Sequence, residues 1–245
     1  MGLELKECYL HGIFRGEKCP ECGLPSKLVM TEEEVNRLSK ILAGMLRHFP
    51  ERYGIKLSDH GWVKISTILP VIRVQSGHFK WLTQKHIEAM VQTDPKERYQ
   101  INENHEIRAR YGHTIPVNVD DLDSSNIPDR LYYQTTAEEY EFIRETGINP
   151  SDKTWIHLSL TYRQAFISGL FHVSDPLIIE VDSKGVIESG LPIYRATEDI
   201  FLLSRVPAEY IREANKEEVE PTAEEREEIE RVKIKRERKR DESAQ

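Results

Sequence analysis

Cysteine is scarce in this sequence: there are three among 245 residues, and all lie within the first 22. An odd number argues against a closed framework of disulfide bonds. Long apolar runs are also missing, since stretches such as Pro176 to Val181 fall far short of the roughly 20 residues that a membrane-spanning helix needs. The first residues lack the basic and then apolar pattern of a signal peptide. We therefore expect a cytoplasmic protein with no membrane-spanning segment.

The sequence has no excess of positive charge either, because its formal net charge is -8. That balance counts against an extended nucleic-acid groove, but it leaves room for an RNA end held in a local basic pocket. Glycine-rich phosphate loops, zinc-protease motifs and serine nucleophile elbows are absent from the sequence. Hydrophobic residues make up 38% of the chain, which is enough for the core of one large or two small domains.

Four residues of metal-binding type stand in two tight pairs near the N-terminus, Cys8-x2-His11 and Cys19-x2-Cys22. A two-residue gap lets both members of a pair face one ion, and zinc takes four tetrahedral nitrogen or sulfur ligands. The spacing predicts a structural zinc knuckle over residues 1–28, a segment too small to fold without its metal. The alternative is three reduced, unconnected cysteines beside a surface histidine.

Helical and strand patterns follow the knuckle. A capping box at Thr31 and Glu34 precedes an apolar face at helical spacing, which predicts a helix running to about Arg47-His48. A second helix is predicted from Thr83, and a β-hairpin from Arg98 to Ala109. Helix, helix and hairpin is the order of a winged-helix lobe.

A polar, acidic stretch from Asp120 to Pro128 predicts a linker to a second, strand-rich lobe. There, a capping box at Thr136 and Glu139 predicts a helix that ends at Gly147. The other predicted elements are a helix around Arg163 to Gly169 and strands at Leu131 to Gln134, Trp155 to Leu158, Leu177 to Val181, Pro192 to Tyr194 and Ile200 to Leu203.

The tail from about Lys216 has a different composition. A capping box at Thr222 and Glu225 predicts a helix that is acidic up to Glu230 and strongly basic from Arg231 to Arg240. We interpret it as a solvated helix. The alternative is that its basic end forms an arm that contacts RNA.

Arg47 and His48 combine a planar fork suited to phosphate with a group that titrates near neutral pH. Taken alone, they are typical of surface residues that complement a helix dipole. Arg98, Arg108 and His113 add cationic groups near the hairpin.

Four blocks of sequence, taken in order and with their spacing, are more specific than any single residue. They are similar to the successive blocks of the NAD-dependent RNA 2′-phosphotransferases, the KptA family, and weaker matches continue to about Ile211. The blocks are Leu42-x3-Leu46-Arg47-His48-x-Pro50, Gly61-Trp62-Val63, Asp94-Pro95-Lys96-x-Arg98-Tyr99 and Ile107-Arg108-Ala109-Arg110-Tyr111-Gly112-His113-Thr114.

This resemblance implies an α+β fold in four parts. A zinc knuckle over residues 1–28 precedes a winged-helix-like lobe over residues 29–119, which binds phosphate and RNA. An ADP-ribosyltransferase-like, β-rich lobe follows over residues 120–212, with NAD between the two lobes. A charged helical tail covers residues 213–245.

The resemblance also implies a two-step reaction. Ligation leaves an internal 2′-phosphate on the RNA, which we expect to be tRNA. This phosphate attacks the nicotinamide ribose of NAD and expels nicotinamide. The neighbouring ribose hydroxyl then attacks that phosphate. The products are RNA with a 2′-hydroxyl, ADP-ribose 1″,2″-cyclic phosphate and nicotinamide.

Site residues follow from the same motifs. The family's Arg-His-Arg-Arg set falls on Arg47, His48, Arg98 and Lys153, so the fourth position carries lysine here. The positions expected to contact NAD are Arg108, His113, Thr114, Thr135, His157 and Ser159.

Several positions depart from the family pattern, and all lie in the second lobe. Tyr133-Gln134 stand where the family has histidine and glycine, and Lys153 keeps a charge but loses the bidentate fork. Gly169-Leu170-Phe171-His172-Val173 stands where members often have Gly-Arg-Arg-His-Gly. Two other hypotheses therefore stay open: an ADP-ribosyltransferase that modifies phosphorylated nucleic-acid ends, and a catalytically inactive RNA-binding relative.

Overall fold

The structure of the protein is a computed structural model that describes residues 4–243, with side chains described as far as residue 237. The chain forms two compact units, one ending at Asp121 and the other beginning at Leu122. Both contain helices and antiparallel sheets, which confirms a mixed α and β fold. The winged-helix-like and ADP-ribosyltransferase-like assignments stay predictions. Within the described residues, no helix is long and apolar enough to cross a membrane.

The first unit begins with a three-stranded antiparallel sheet in the order β2-β1-β3. Its strands are β1 (Leu5–Cys8), β2 (Gly12–Arg15) and β3 (Lys27–Met30). Leu5 and Met30 are fully buried in the main hydrophobic core of the unit. The N-terminal segment is therefore packed into the first unit instead of standing apart from it.

Three helices and a second sheet complete this unit. The helices are α1 (Glu32–Ala43), α2 (Ile65–Gln75) and α3 (Gln84–Gln92), and the sheet, in the order β4-β6-β5, contains β4 (Val63–Lys64), β5 (Tyr99–Ile101) and β6 (Glu106–Ala109). The capping box at Thr31 and Glu34 and the predicted hairpin are both confirmed. Helix α2 was not predicted, because it contains Pro70, which removes an internal hydrogen bond.

The end of the first helix differs from a regular α-helix. Helix α1 ends at Ala43, and a π-helical turn, Gly44–His48, continues it. A Cβ atom at Gly44 would lie 2.7 Å from the hydroxyl of Tyr53, so the glycine makes room for that ring. Such wide turns are rare and occur often at functional sites. This one carries Arg47 and His48.

The second unit is built on a six-stranded antiparallel sheet in the order β10-β11-β8-β7-β9-β12. The strands are β7 (Arg130–Thr135), β8 (Ile156–Ser159), β9 (Leu177–Asp182), β10 (Tyr194–Arg195), β11 (Ile200–Leu203) and β12 (Ile211–Glu213). The helices are α4 (Ala137–Thr146), α5 (Tyr162–Leu170), α6 (Ser183–Glu188) and α7 (Ala223–Ser243). The predicted capping boxes at Thr136 and Thr222 are both present.

Gly147 ends α4 in a backbone conformation that only glycine adopts readily, with φ 75° and ψ -179°. A Cβ atom there would lie 2.2 Å from the carbonyl oxygen of Val206. Gly190 also has a positive φ, of 90°, but a Cβ at that position would meet nothing within 4 Å.

We predict that Gly147→Ala lowers the free energy of unfolding by roughly 3 kcal/mol or more, since it combines backbone strain with a clash. Gly190→Ala, with strain alone, should cost roughly 1–2 kcal/mol. Chemical denaturation of both variants measures the difference. Equal losses of unfolding free energy in the two variants would show that the clash with Val206 does not contribute to the destabilisation.

Candidate functional site

The four predicted metal ligands come together at one point of the first unit. The ligand atoms of Cys8, His11, Cys19 and Cys22 all lie within 4.8 Å of one another. Cys8 closes strand β1, and the amide of Gly23 donates to Cys19 O at 2.8 Å, which makes the tight turn around the second pair. All three cysteines are free thiols.

The distances between these atoms fit a zinc ion. Zn–S bonds of about 2.3 Å in a tetrahedron place neighbouring sulfur atoms about 3.8 Å apart, and a sulfur and a nitrogen slightly closer. Cys8 Sγ and Cys22 Sγ are 3.8 Å apart, and His11 Nδ1 lies 3.6 Å from Cys8 Sγ and 3.4 Å from Cys19 Sγ. A backbone hydrogen bond at Leu10 is the largest of the influences that lower the pKa of the Cys8 thiol to about 6, and this favours the thiolate form that binds metal.

The metal-type cluster is tied to the rest of the unit through Arg15 of strand β2. The Arg15 guanidinium donates from Nε to Thr93 Oγ1 at 3.1 Å and from Nη2 to Met90 O at 3.1 Å. Both partners lie at the C-terminal end of α3, where a cation satisfies carbonyl groups that have no partner within the helix. The next residue along the chain is Asp94.

Asp94 holds Arg98 in a bidentate ion pair. The guanidinium donates from Nε to Asp94 Oδ2 at 2.9 Å and from Nη2 to Oδ1 at 2.8 Å. Burial raises the pKa of the Asp94 carboxyl, but the hydrogen bonds and charge of Arg98 outweigh it, so the pKa is lowered. Two of the five N–H donors of Arg98 are used in this pair. The remaining three lie on the other edge of the guanidinium, in a side chain that is 27% exposed.

Arg47 lies directly beside this pair. Its guanidinium carbon is 4.9 Å from the centre of the Tyr111 ring and 5.5 Å from that of Tyr99, and its Nη2 donates to Arg98 O at 3.4 Å. A Cβ atom at Gly112, where φ is 82°, would lie 3.1 Å from Arg47 Nη1. Glycine at that position therefore gives the guanidinium its space.

His113 and Thr114, in the loop that follows β6, lie beside the π-helical turn that carries His48. Thr114 donates its amide to Arg47 O at 3.0 Å, and its hydroxyl oxygen is 3.1 Å from His48 Nδ1. His113 is almost completely buried, and burial, followed by the charges of Arg47, Arg108 and His48, lowers its pKa to about 4. His113 is therefore a neutral imidazole at pH 7. We call Arg47, His48, Arg98, His113 and Thr114 the cationic cup.

Arg108 takes a different position. It is buried, its Nη1 donates to Asp121 Oδ2 at 2.6 Å, and two of its nitrogens donate to Gln100 Oε1. Its guanidinium also lies 4.4 Å from the centre of the Trp62 ring. These contacts favour a structural role, and its expected contact with NAD stays a prediction.

The second unit has a cavity of about 330 Å³ of its own. Three predicted site residues line it: Thr135 at the end of β7, Lys153 in the loop before β8, and His157 on β8. Thr135 is buried and donates its hydroxyl to Glu139 Oε2 at 2.8 Å. Ser159 is two residues beyond His157, on the same face of the strand, but is not among the lining residues that the structure describes.

Several residues that depart from the family pattern also line this cavity. Tyr133, Gln134, Lys153 and Val173 are all part of its wall. A Cβ atom at Gly169 would lie 2.5 Å from Pro176 Cβ and 3.2 Å from Gln134 Cβ, so the glycine lets α5 pack closely against both residues.

Sequence reasoning missed the residues that support the cup. Asp94 belongs to a quoted motif, and its spacing of four residues from Arg98 was a usable signal. Tyr99 and Tyr111 also belong to those motifs, but their position beside Arg47 depends on the folded hairpin. The prediction that Lys153 completes the set formed by Arg47, His48 and Arg98 stays a prediction.

Comparison with known proteins agrees with these features. The family model described as RNA 2′-phosphotransferase, Tpt1 / KptA family, matches residues 32–205. A probable RNA 2′-phosphotransferase of Thermoplasma acidophilum is 50% identical over 95% of this chain and 97% of its own length. One of Thermoplasma volcanium is 49% identical over 93% and 96%. A third, from Archaeoglobus fulgidus, is 36% identical over 85% and 94%.

The matched region contains the cup and the cavity described above, and the similarity to the two Thermoplasma proteins covers nearly the whole chain. The chain belongs to the RNA 2′-phosphotransferase, Tpt1 / KptA family.

Proposed function

We propose that this protein removes an internal 2′-phosphate from RNA, expected to be tRNA, by transferring it to NAD. The observation that carries this is the position of Arg47 beside Arg98, whose guanidinium Asp94 holds in a bidentate ion pair. The Asp94 carboxylate takes only two of the five N–H donors of Arg98, which leaves three N–H donors for another anion. A phosphate group, with several acceptor oxygens and a charge close to -2, matches that need.

The named relatives support the RNA substrate, because each is described as a probable RNA 2′-phosphotransferase. The cavity of the second unit supports the co-substrate. It combines histidine, threonine and lysine side chains with the aromatic rings of Tyr133 and Trp155. Mixed aromatic and hydrogen-bonding walls are typical of sites for small organic ligands.

The residues of the cup supply positioning and charge. NAD would supply an electrophilic ribose carbon with nicotinamide as its leaving group. Arg47 and Arg98 would neutralise the phosphate oxygens, which is the main contribution a protein makes to phosphoryl transfer. His48, whose Nδ1 lies 3.1 Å from the Thr114 hydroxyl oxygen, is the member of the cup that would hold or release a proton. Lys153 would add a point charge to the second step.

Thr135 and His157 would contact NAD from the walls of the cavity, and Ser159 would do so from the same strand face as His157. His113 and Thr114 of the first unit would also contact NAD, and the buried Arg108 would support these two residues. The neutral state of His113 suits a hydrogen bond to an uncharged group, such as a ribose hydroxyl or an amide.

A direct assay tests this function. The protein is incubated with NAD and an RNA that carries one internal 2′-phosphate, and both RNA and small products are followed. We expect NAD-dependent loss of the phosphate and formation of a cyclic phosphate of ADP-ribose. ADP-ribosylated RNA that accumulates would instead support the ADP-ribosyltransferase. Binding of RNA without any product would support an inactive relative.

The variant Arg98→Lys tests whether the planar, two-pronged guanidinium is needed or whether positive charge alone is enough. Lysine keeps a cation but cannot both hold the two Asp94 oxygens and present a planar edge to phosphate, so turnover should fall roughly 100-fold. Arg98→Ala should lose activity and also stability, because it leaves the buried Asp94 carboxylate without its partner. The matched control is Arg37→Ala, which removes a surface ion pair with Glu33. Wild-type turnover in Arg98→Lys would contradict the assigned role.

We also propose that the cluster of three cysteines and His11 binds one structural zinc ion. Elemental analysis of protein purified without chelator should find about one zinc per chain. Cys19→Ser should lose the metal and unfold at a lower temperature. Tyr9→Ala is the matched control, because Tyr9 lies between two ligands but is 99% exposed. Protein purified without any bound metal would rule the site out.

Loss of zinc should also destabilise the C-terminal end of α3. Arg15 lies on the sheet that carries the metal ligands, and its side chain binds Met90 and Thr93 at that helix end. Hydrogen exchange should show faster exchange at the amides of residues 89–94 after chelation, but not in the second unit. Unchanged exchange at those amides would mean that the sheet holds Arg15 without the metal.

A further inference from the structure

The C-terminal helix α7 is docked along one stripe of its surface. Glu225, Ile229 and Arg236 are separated by four and seven residues, so they lie on the same helix face. Glu225 accepts two hydrogen bonds from the guanidinium of Arg163 on α5, at 2.9 and 2.7 Å. Ile229 is buried. The interpretation of α7 as a solvated helix fits most of its side chains, but not this stripe.

Arg236 brings the stripe to the wall of the cavity. Its Nη1 donates to the carbonyl oxygen of Phe171, and its Nη2 lies 3.3 Å from His172 Nδ1. Phe171 caps the C-terminal end of α5, and His172 follows it and lines the cavity together with Lys153. A residue 64 positions away in sequence therefore holds this part of the wall.

The contact determines which form the His172 ring takes. A guanidinium group has only donors, so His172 Nδ1 must accept and the ring proton must lie on Nε2. The groups that face the ring act in the same direction. Burial, then the charges of Arg236 and Lys153, lower the pKa of His172 against the opposing charge of Asp152. The neutral imidazole is favoured at pH 7.

We propose that Arg236 is a positioning residue of the cavity: it fixes the Phe171–His172 wall and keeps His172 as the neutral Nε2–H tautomer, which donates a hydrogen bond to the bound dinucleotide. The identity of that ligand rests on the proposed function. The position of the wall and the form of the ring do not.

Two measurements test the proposal on the full-length protein. Nitrogen chemical shifts of the histidine rings report tautomer and titration without any ligand, and His172→Gln identifies the His172 signals by their loss. In the wild type we expect the Nε2–H tautomer to persist below pH 6.5. In Arg236→Ala the tautomers should mix and the pKa of His172 should rise towards its ordinary value. Lys235→Ala, an exposed neighbour on the same helix, is the matched control.

Steady-state kinetics supply the second measurement. Arg236→Ala should raise KM for NAD roughly 3- to 10-fold, the effect of a lost hydrogen bond, with kcat within about twofold of wild type. Arg236→Lys keeps the charge but can satisfy only one of the two acceptors well, so it should lie between the alanine variant and wild type. Melting temperatures of all variants check that α7 stays folded.

The two proposals fail in different ways. An unchanged titration and tautomer of His172 in Arg236→Ala would overturn this inference, whatever the protein does with NAD. A changed titration with unchanged KM would overturn the hydrogen bond to the dinucleotide. The wild-type protein could show no NAD-dependent activity while Arg236→Ala still changes the titration and tautomer of His172. That result would overturn the proposed function and support the role of Arg236 in the wall.

Discussion

The buried carboxylate of Asp94 is the interaction on which the cationic cup depends. Two arginines in close proximity repel each other, and the cost is greatest where water is excluded. Asp94 offsets that repulsion and also fixes the plane of the Arg98 guanidinium by accepting two parallel hydrogen bonds. Arg47 is then held by two aromatic rings and a backbone carbonyl, none of which carries a negative charge. The cup therefore keeps a net positive charge while its geometry is constrained.

The support for Asp94 extends to the N-terminal sheet. Arg15 binds the last turn of α3 immediately before Asp94, and the charges of Asp94 and Arg98 both act on its pKa, which burial lowers overall. The same sheet carries the four metal-type ligands at its turns and contributes Leu5 and Met30 to the main core. The N-terminal segment thus supports the cup through packing and through one long-range cation.

Local signals in the sequence predicted much of this fold. The capping boxes at Thr31, Thr136 and Thr222 and the hairpin depend on neighbouring residues, and each appears in the structure. Most strands of the second unit were also predicted, but β12 was not, and the strand predicted at Pro192 to Tyr194 lies at Tyr194–Arg195. Helix α2 could not be predicted in the same way, because Pro70 and a run of β-branched residues argue against a helix, and burial of Ile65, Ile68 and Ile72 outweighs them.

The site residues divide in the same way, into those that sequence motifs mark and those that only the folded chain brings together. The resemblance assigned Arg47, His48, Arg98 and Lys153 to one catalytic set, and Thr135 and His157 to NAD. The structure places Arg47 beside Arg98, and it places Lys153 with Thr135 and His157 at the cavity of the second unit. Arg15 and Arg236 were beyond reach, since each contacts residues more than 60 positions away and nothing near them in sequence marks those contacts.

The π-helical turn at Gly44–His48 contains one more residue than a regular α-helical turn would. Each residue of an α-helix advances its side chain by about 100° around the axis. A chain shortened by one residue in this turn could keep a continuous helix, but the side chains after the deletion would point in a new direction. The orientation of Arg47 and His48 therefore depends on chain length at this point as well as on residue type. A single-residue deletion here is expected to disable the cup while leaving every residue of its motif in place.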